Sequence, residues 1–242
     1  AMSRVYETAS DPITINLTGG TFAPSTTGQN FPIIMISNIN LIGQGEEVTI
    51  LDAEETDRVI TMDDCQNNII SDLTITGGDG DDGGGVYLNL SNPTLTHVTI
   101  ANNTISGGSY GGGGMYINVS NPILTHVTIT GNSIASNSNT SGLAGGGIYI
   151  ESCNPTFTHV TIANNTADGG GGMCVFASNP ILNHVTIANN IANLGSGMYI
   201  DSSNSIVTNS IIWNNSINHE SGTFIITYSD IQGGWEGEGN IN

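Results

Sequence analysis

Four histidines recur at equivalent points of a repeated motif, and imidazole is a common metal ligand. They are His97, His126, His159 and His184, each followed by Val-Thr, and Asn209 takes the equivalent place in a degraded last copy. If the copies stack, the imidazoles point alike instead of converging, as a tetrahedral metal site requires. The pattern therefore favours a structural ladder at a polar bend, and a metal ladder is the alternative.

A second repeated position combines aromatic rings with amide and carboxylate groups. The runs after each glycine cluster read GVYLN, GMYIN, GIYIE, GMCVF and GMYID. Strand alternation puts the third and fifth residues of each run on the outer side. The candidate ligand-binding residues are Tyr87, Tyr116, Tyr149, Tyr199, Asn89, Asn118, Glu151 and Asp201. Rings beside hydrogen-bonding groups suit sugars, so this face is predicted to bind carbohydrate. The alternative is that the tyrosines pack only against their stacked neighbours.

Two of these residues are carboxylates and raise the question of catalysis. Glu151 and Asp201 would stand two rungs apart, roughly 9–10 Å between backbones, which suits an inverting pair of a glycoside hydrolase. The intervening rung offers only Cys174 and Phe176. We therefore assign no catalytic residue, and keep Glu151 and Asp201 as the pair to examine if the protein is an enzyme.

A third group is the acidic, glycine-rich segment GGDGDDGGG at 77–85. Closely spaced carboxylates are the ligands that Ca²⁺ prefers, so Asp79, Asp81 and Asp82 form a candidate calcium site. A solvated turn is the alternative. No cofactor is expected to be required, and calcium is the one candidate.

These residues belong to a repeat. NPTLTHVTIANN at 92–103 returns as NPILTHVTITGN, NPTFTHVTIANN, NPILNHVTIANN and, degraded, NSIVTNSIIWNN, at intervals of 25 to 33 residues. Each copy holds short runs of alternating Val, Ile and Thr without helical periodicity, so a unit must stack on its neighbours to bury its apolar side. The predicted fold is an all-β, right-handed parallel β-helix solenoid of about nine coils, with three short strands per coil.

Alternation also predicts which side chains fill the interior. The expected core comprises Leu95, Val98, Ile100, Leu124, Val127, Ile129, Phe157, Val160, Ile162, Leu182, Val185 and Ile187. Outward threonines such as Thr99 and Thr128 suit exposed strands, and such rows also occur in ice-binding β-helices. Residues 1–242 are expected to form one domain, with an N-terminal cap or tag at 1–12. Residues 233–242 are expected to be a C-terminal cap or the start of a truncated continuation.

On these repeats the chain resembles the right-handed parallel β-helix proteins of the pectin-lyase-like superfamily, especially exported bacterial surface proteins. The resemblance implies a polysaccharide cleft along one strand face and a parent chain longer than this one. It also implies that an asparagine ladder commonly fills a bend like that of the histidine column. Lyase chemistry in that superfamily needs basic residues, and this chain has only Arg4 and Arg58.

Charge and cysteine content narrow the function further. A net charge of −19 argues against nucleic acid and against polybasic contact with a membrane, and no apolar run approaches a membrane span. Cys153 and Cys174 are out of register by four residues, too far apart for an unstrained bridge, and all three cysteines, Cys65 included, are expected to be free thiols. The expected protein is a secreted or cell-surface bacterial module, non-catalytic, and structural, adhesive or carbohydrate-binding. The alternative is a polysaccharide-degrading enzyme acting on the same face.

Overall fold

The computed structural model describes residues 12–107, 111–135 and 144–242. The chain forms a parallel β-solenoid of about 8 turns, which confirms the predicted fold class and comes close to the nine coils expected. Every pairing between the described strands is parallel, and each strand pairs with its counterpart one coil along the chain. Strands therefore build walls parallel to the axis, and equivalent residues form columns.

One wall, here called the front sheet, has eight strands. They are Ile33–Ile34, Ile60–Asp63, Val86–Asn89, Met115–Asn118, Ile148–Glu151, Met173–Phe176, Met198–Asp201 and Ile217–His219. Its outer side is called the front face below.

The other two walls belong to one 15-stranded sheet. The second wall holds Ile13–Asn16, Ile39–Ile42, Thr156–Thr158, Ile181–Asn183, Ser203–Thr208 and Gly222–Thr227. The third wall holds Gly20–Phe22, Thr49–Asp52, Thr161–Ala163, Thr186–Ala188, Ile211–Trp213 and Asp230–Ile231. Three eight-residue strands, Ile69–Thr76, Thr94–Ala101 and Ile123–Thr130, run through both walls. The three strands predicted per coil are thus present, and two of them merge in the middle coils.

Smaller elements complete the chain. Two short parallel pairs join Thr104–Ile105 to Ser133–Ile134 and Gly111–Gly112 to Ala144–Gly145. The helix Pro24–Thr27 has four residues. Among the described residues, no helix is long and apolar enough to cross a membrane.

The interior is a continuous apolar stack. All twelve core residues predicted from the alternation are at most 1% exposed. Met115, Met173 and Met198 contribute from the front sheet, and Phe157 is the largest side chain among those fully buried. Because inward residues of successive coils pair in register, each coil covers the apolar side of the next.

At the bends that connect the walls, non-glycine residues adopt the left-handed backbone conformation. The histidines occupy the bend between the second and third walls, where His97 has φ 51° and His126 has φ 54°. Asn102 and Asn164 occupy the bend after the third wall, with φ 55° and 58°. Asparagine tolerates this conformation better than most residues, and such bends repeat because one turn geometry serves every coil.

The two chain ends differ in what can be described. The predicted N-terminal cap lies outside the described residues except for residue 12. The tail after residue 232 packs on the last coil: Trp235 meets Phe224 edge to face at 5.3 Å, and Asn240 donates to the carbonyl of Ile226.

Candidate functional site

The front face carries the two columns that the sequence predicted, in the predicted register. Tyr116 pairs with Tyr87 on one side and with Tyr149 on the other, and Cys174 and Tyr199 continue the column. This set is called the tyrosine column. The neighbouring amide column comprises Asp63, Asn89, Asn118, Glu151, Phe176 and Asp201.

The tyrosine rings stack on each other along the solenoid axis. The ring centres of Tyr87 and Tyr116 lie 5.4 Å apart with planes within 5°, and those of Tyr116 and Tyr149 lie 5.5 Å apart within 2°. Each ring face is therefore turned toward the next ring. This stacking agrees with the alternative that the tyrosines pack against their stacked neighbours, and it leaves ring edges and hydroxyl groups for contact with a ligand.

The middle of the tyrosine column is buried, contrary to its predicted outward exposure, whereas Tyr199 beyond it is half-buried. Tyr149 is only 4% exposed and Cys174 is fully buried. The glycine runs turn tightly into the front strands beside these two residues. A Cβ atom at Gly145 would lie 2.9 Å from the Tyr149 nitrogen, and one at Gly170 would lie 2.9 Å from Cys174 Cα. Only glycine allows so close an approach.

The lower part of the face remains partly open and is bound together by hydrogen bonds. Asn118 donates to Asn89 at 3.0 Å, and Asn89 donates to Asp63 at 2.8 Å. The Tyr116 hydroxyl donates to Glu151 at 3.5 Å. Burial, reinforced by the Glu151 charge, raises the pKa of Tyr116 well above its usual range, so this hydroxyl stays protonated and able to donate.

The two carboxylates considered for catalysis stand two rungs apart, as their spacing in the sequence predicted. Glu151 and Asp201 occupy the same column, with Phe176 paired between them. Asp201 accepts hydrogen bonds from Ser221 at 2.7 Å and Ser202 at 3.2 Å, whereas Glu151 faces Tyr116. Each carboxylate therefore has its own environment.

The three aspartates of the glycine-rich loop lie in different surroundings. Asp79 accepts two hydrogen bonds from Ser106, from its backbone nitrogen at 3.0 Å and its hydroxyl at 2.7 Å. Asp82 lies against Gly111, and Asp81 is exposed. Within the described ranges, no three His, Cys, Asp or Glu residues are placed to hold a metal ion. Calcium at Asp79, Asp81 and Asp82 stays a prediction.

Sequence reasoning missed one residue of the front face, Arg58. Its guanidinium carbon lies 4.6 Å from the centre of the Tyr87 ring. Register places Arg58 at the point where later coils carry their glycine runs, because Ile60 pairs with Val86. This alignment with the glycine runs could have revealed the position of Arg58 from the sequence, because a residue two positions before a front strand must lie beside the front sheet.

The histidine column forms a stack at its bend. Ring centres of successive members from His97 to His184 lie 5.0, 4.9 and 4.9 Å apart, and all are exposed. Asp72 begins the column, 4.0 Å from His97 Nδ1. The rings are stacked, so their nitrogens point alike, as expected.

The asparagine ladder lies at a different bend from the one the resemblance implied. It follows the third wall and comprises Asn103, Asn132, Asn165, Asn190 and Asn215. From Asn132 onward, each side-chain oxygen accepts from the backbone nitrogen and the side-chain amide of the preceding ladder asparagine, as Asn165 does from Asn132 at 3.0 Å. The signal in the sequence was the repeated Asn-Asn pair, whose second member enters the interior.

A second ladder absorbs two of the cysteines. Cys65, Ser91, Ser120, Cys153, Ser178 and Ser203 occupy one column, and each successive side chain accepts from the preceding backbone nitrogen. All three cysteines are buried free thiols, as predicted. Burial raises the pKa of Cys174 to about 12, so its reactive thiolate is scarce at neutral pH.

Comparison with solved structures agrees with the fold. Pectate lyase Pel9A superposes with a TM-score of 0.61 at 15% identity, covering 90% of this chain and 60% of the lyase. This chain thus spans less than two thirds of that enzyme. A pectin methylesterase in complex with a hexasaccharide gives 0.57 at 9% identity, covering 99% and 86%. At such identities the likeness shows the fold alone. No curated protein matches the chain significantly.

The profile of one family, described as "Periplasmic copper-binding protein (NosD)", matches residues 17–240. The description raises the question of copper, for which His, Cys and Met are the expected ligands. All five histidines and all three cysteines lie in the described residues. Four histidines stack in parallel and the cysteines are buried in separate surroundings.

The remaining ligand candidates do not improve the fit. His219 contacts Phe224 in the last coil, and the five described methionines are all core residues. These side chains do not fit a resident copper ion, so no chemistry is derived through one. The family's periplasmic description agrees with the predicted location outside the cytoplasm. The match runs almost from end to end and the fold is that of right-handed β-helix proteins, so the chain belongs to the NosD family.

Proposed function

We propose that this chain is a non-catalytic β-helix module, exported from the cytoplasm, that binds polysaccharide through its front face. One observation carries the proposal. Amide and carboxylate groups of Asn89, Asn118 and Glu151 stand in register on successive coils, half-buried, beside the hydroxyl-bearing edges of Tyr87 and Tyr116. Such a row offers similar polar groups once per coil, about every 4.8 Å.

The row can exchange hydrogen bonds with sugar hydroxyl groups. Asn118 uses one amide hydrogen on Asn89, which leaves its second hydrogen and its carbonyl oxygen for a ligand within the described contacts. Glu151 is an acceptor that the Tyr116 hydroxyl holds at 3.5 Å. A hydroxyl group both donates and accepts, so this alternation of donors and acceptors suits it. The bound hexasaccharide of the pectin methylesterase supports the proposal at the level of the fold.

The arrangement of the carboxylates on the front face does not favour catalysis. Hydrolysis of a glycosidic bond needs two carboxylates flanking one sugar bond, at about 5–10 Å from each other. Glu151 and Asp201 are held in separate hydrogen-bond networks on either side of the Phe176 rung. Repetition of one local pattern over many coils also favours an extended binding surface, since active sites usually break local rules.

One observation favours the enzymatic alternative. Burial raises the pKa of Asp82, although Arg58 opposes the shift, and Asp82 also interacts electrostatically with Glu151. A carboxyl group with a raised pKa beside a second carboxylate is the kind of pair from which an acid and a base are built. This alternative predicts release of reducing ends that depends on Asp82.

The test is affinity electrophoresis through gels containing neutral or acidic polysaccharides, with and without Ca²⁺, alongside an assay for released reducing ends. The variant is Asn118→Ala with Glu151→Ala. The control is Thr125→Ala with Thr158→Ala, a pair on the same two coils but on the second wall. We expect the first variant to weaken retention at least tenfold and the control to keep it. Retention that survives Asn118→Ala with Glu151→Ala, or release of reducing ends, contradicts the proposal.

A further inference from the structure

The described part of the chain contains a single lysine or arginine, Arg58, and it is held on the front face. Its guanidinium lies over Tyr87, with 4.6 Å between the guanidinium carbon and the ring centre. Gly80 closes over it, because a Cβ atom there would lie 3.1 Å from Arg58 Cβ and 3.2 Å from Nε. The side chain thus lies between the loop at Gly80 and the Tyr87 ring, and these contacts fix the position of its positive charge.

This guanidinium makes no hydrogen bond and no close ion pair with any of the described residues. Its Nε is buried and makes no hydrogen bond, and no carboxylate oxygen lies within 4.0 Å of its nitrogens. Its contacts are the Tyr87 ring and a backbone hydrogen bond from its own nitrogen to Asp57. In a chain with 21 acidic residues, an unpaired arginine is unexpected, because a carboxylate normally satisfies its fork of donors.

The surroundings limit what can pair with it. Asp82 interacts electrostatically with Arg58, and Asp63, Glu151 and Asp201 follow along the same face. A uniformly charged polyanion would meet carboxylates at three of the six positions of the amide column, Asp63, Glu151 and Asp201, and be repelled. A wholly neutral chain would leave the guanidinium unmatched. One positive charge in an acidic row therefore selects a ligand with one isolated negative charge.

We propose that Arg58 is a specificity residue that pairs with an isolated carboxylate on an otherwise neutral polysaccharide, while the neutral sugars lie along the amide column. The inference rests on the proposed function and names its ligand class. A planar carboxylate can take two parallel N–H···O bonds from the guanidinium, and Tyr87 supports the guanidinium from its other face. The neighbouring neutral sugars meet Asn89 and Asn118.

Matched ligands test this directly. Glucuronoxylan, a neutral xylose chain with occasional glucuronate, is compared with the same material after its carboxyl groups are reduced to alcohols, and with polygalacturonate. Affinities are measured by isothermal titration calorimetry at low and high salt. We expect the native glucuronoxylan to bind at least tenfold more tightly than its reduced form and than polygalacturonate, with the preference over the reduced form weakening in salt.

Two variants identify the residue responsible. Arg58→Gln should bind native and reduced glucuronoxylan alike. Asn183→Asp adds the same change of net charge on the second wall and keeps the acceptor for Asn209, so it should retain the preference. A preference that survives Arg58→Gln, equal binding of both forms by the unaltered protein, or tighter binding of polygalacturonate overturns the inference but not the proposed function. If the unaltered protein binds no polysaccharide, the proposed function fails as well.

Discussion

Two neighbouring asparagines of one dipeptide carry out opposite tasks. Asn164 takes the left-handed conformation at φ 58° and is exposed, whereas Asn165 is fully buried and extends the asparagine ladder. Asn165 accepts two bonds from Asn132 and donates to Ile129 and Asn190. The backbone nitrogen of Asn165 is satisfied by a side chain, because it donates to Asn190 Oδ1 and not to a strand carbonyl.

Replacing Asn165 by Ala should lower the free energy of unfolding by roughly 2–4 kcal/mol, because a buried carbonyl and a buried amide each lose a partner. Chemical denaturation measures this. The control is Asn164→Gly, which removes the adjacent side chain and keeps a residue suited to positive φ, as Gly131 does one coil earlier. We expect the control to cost less than about 1 kcal/mol. Equal effects of the two substitutions would show that the ladder does not stabilise the bend.

The glycine run before each front strand is the element that shapes the candidate site. It packs backbone against backbone: a Cβ at Gly171 would lie 2.6 Å from the carbonyl oxygens of Ile191 and Ser196. Beside these runs, Tyr149 and Cys174 are buried, whereas Tyr87, Tyr116 and Tyr199 are partly open.

Gly171→Ala should destabilise the protein by roughly 2 kcal/mol or more, because the backbone at Ile191 and at Ser196, both in the next coil, would have to move aside together. Gly107→Ala is the matched control, since a Cβ there would meet only Asp81 Oδ1, at an ordinary 3.5 Å. Thermal unfolding of both variants checks the prediction. Should Gly171→Ala melt with the parent protein, the close packing of the glycine runs would not be a constraint.

The whole molecule is a stack of coils in which the residues that could bind a metal ion serve structural roles instead. Histidines stack on one another, two cysteines replace serines in a ladder, and methionines fill the core. Its net charge of −19 attracts cations over the whole surface without creating a specific site. The family description and the donor geometry therefore disagree about copper.

Copper supplied at a hundredfold excess over a strong site would raise the free energy of unfolding by about 2.7 kcal/mol. We expect no such stabilisation, and less than one copper per chain after gel filtration with metal analysis. His126→Asn with His159→Asn, which breaks the histidine stack, should leave the result unchanged. Stoichiometric copper with a raised melting temperature would contradict the assignment of these residues to structure.

The sequence alone determined the fold and its register. Repeated motifs of alternating residues can bury their apolar side only by stacking, so the twelve core residues and the pairing of Tyr87, Tyr116 and Tyr149 followed from spacing. Only the tertiary structure decided which outward residues stay open. The stacked ring faces, the burial of Tyr149 and the placement of Arg58 over Tyr87 depend on loops folding back across coils. Strand alternation predicts on which side of a strand a residue lies. It does not predict which loops cover that residue, so no local sequence pattern contains this information.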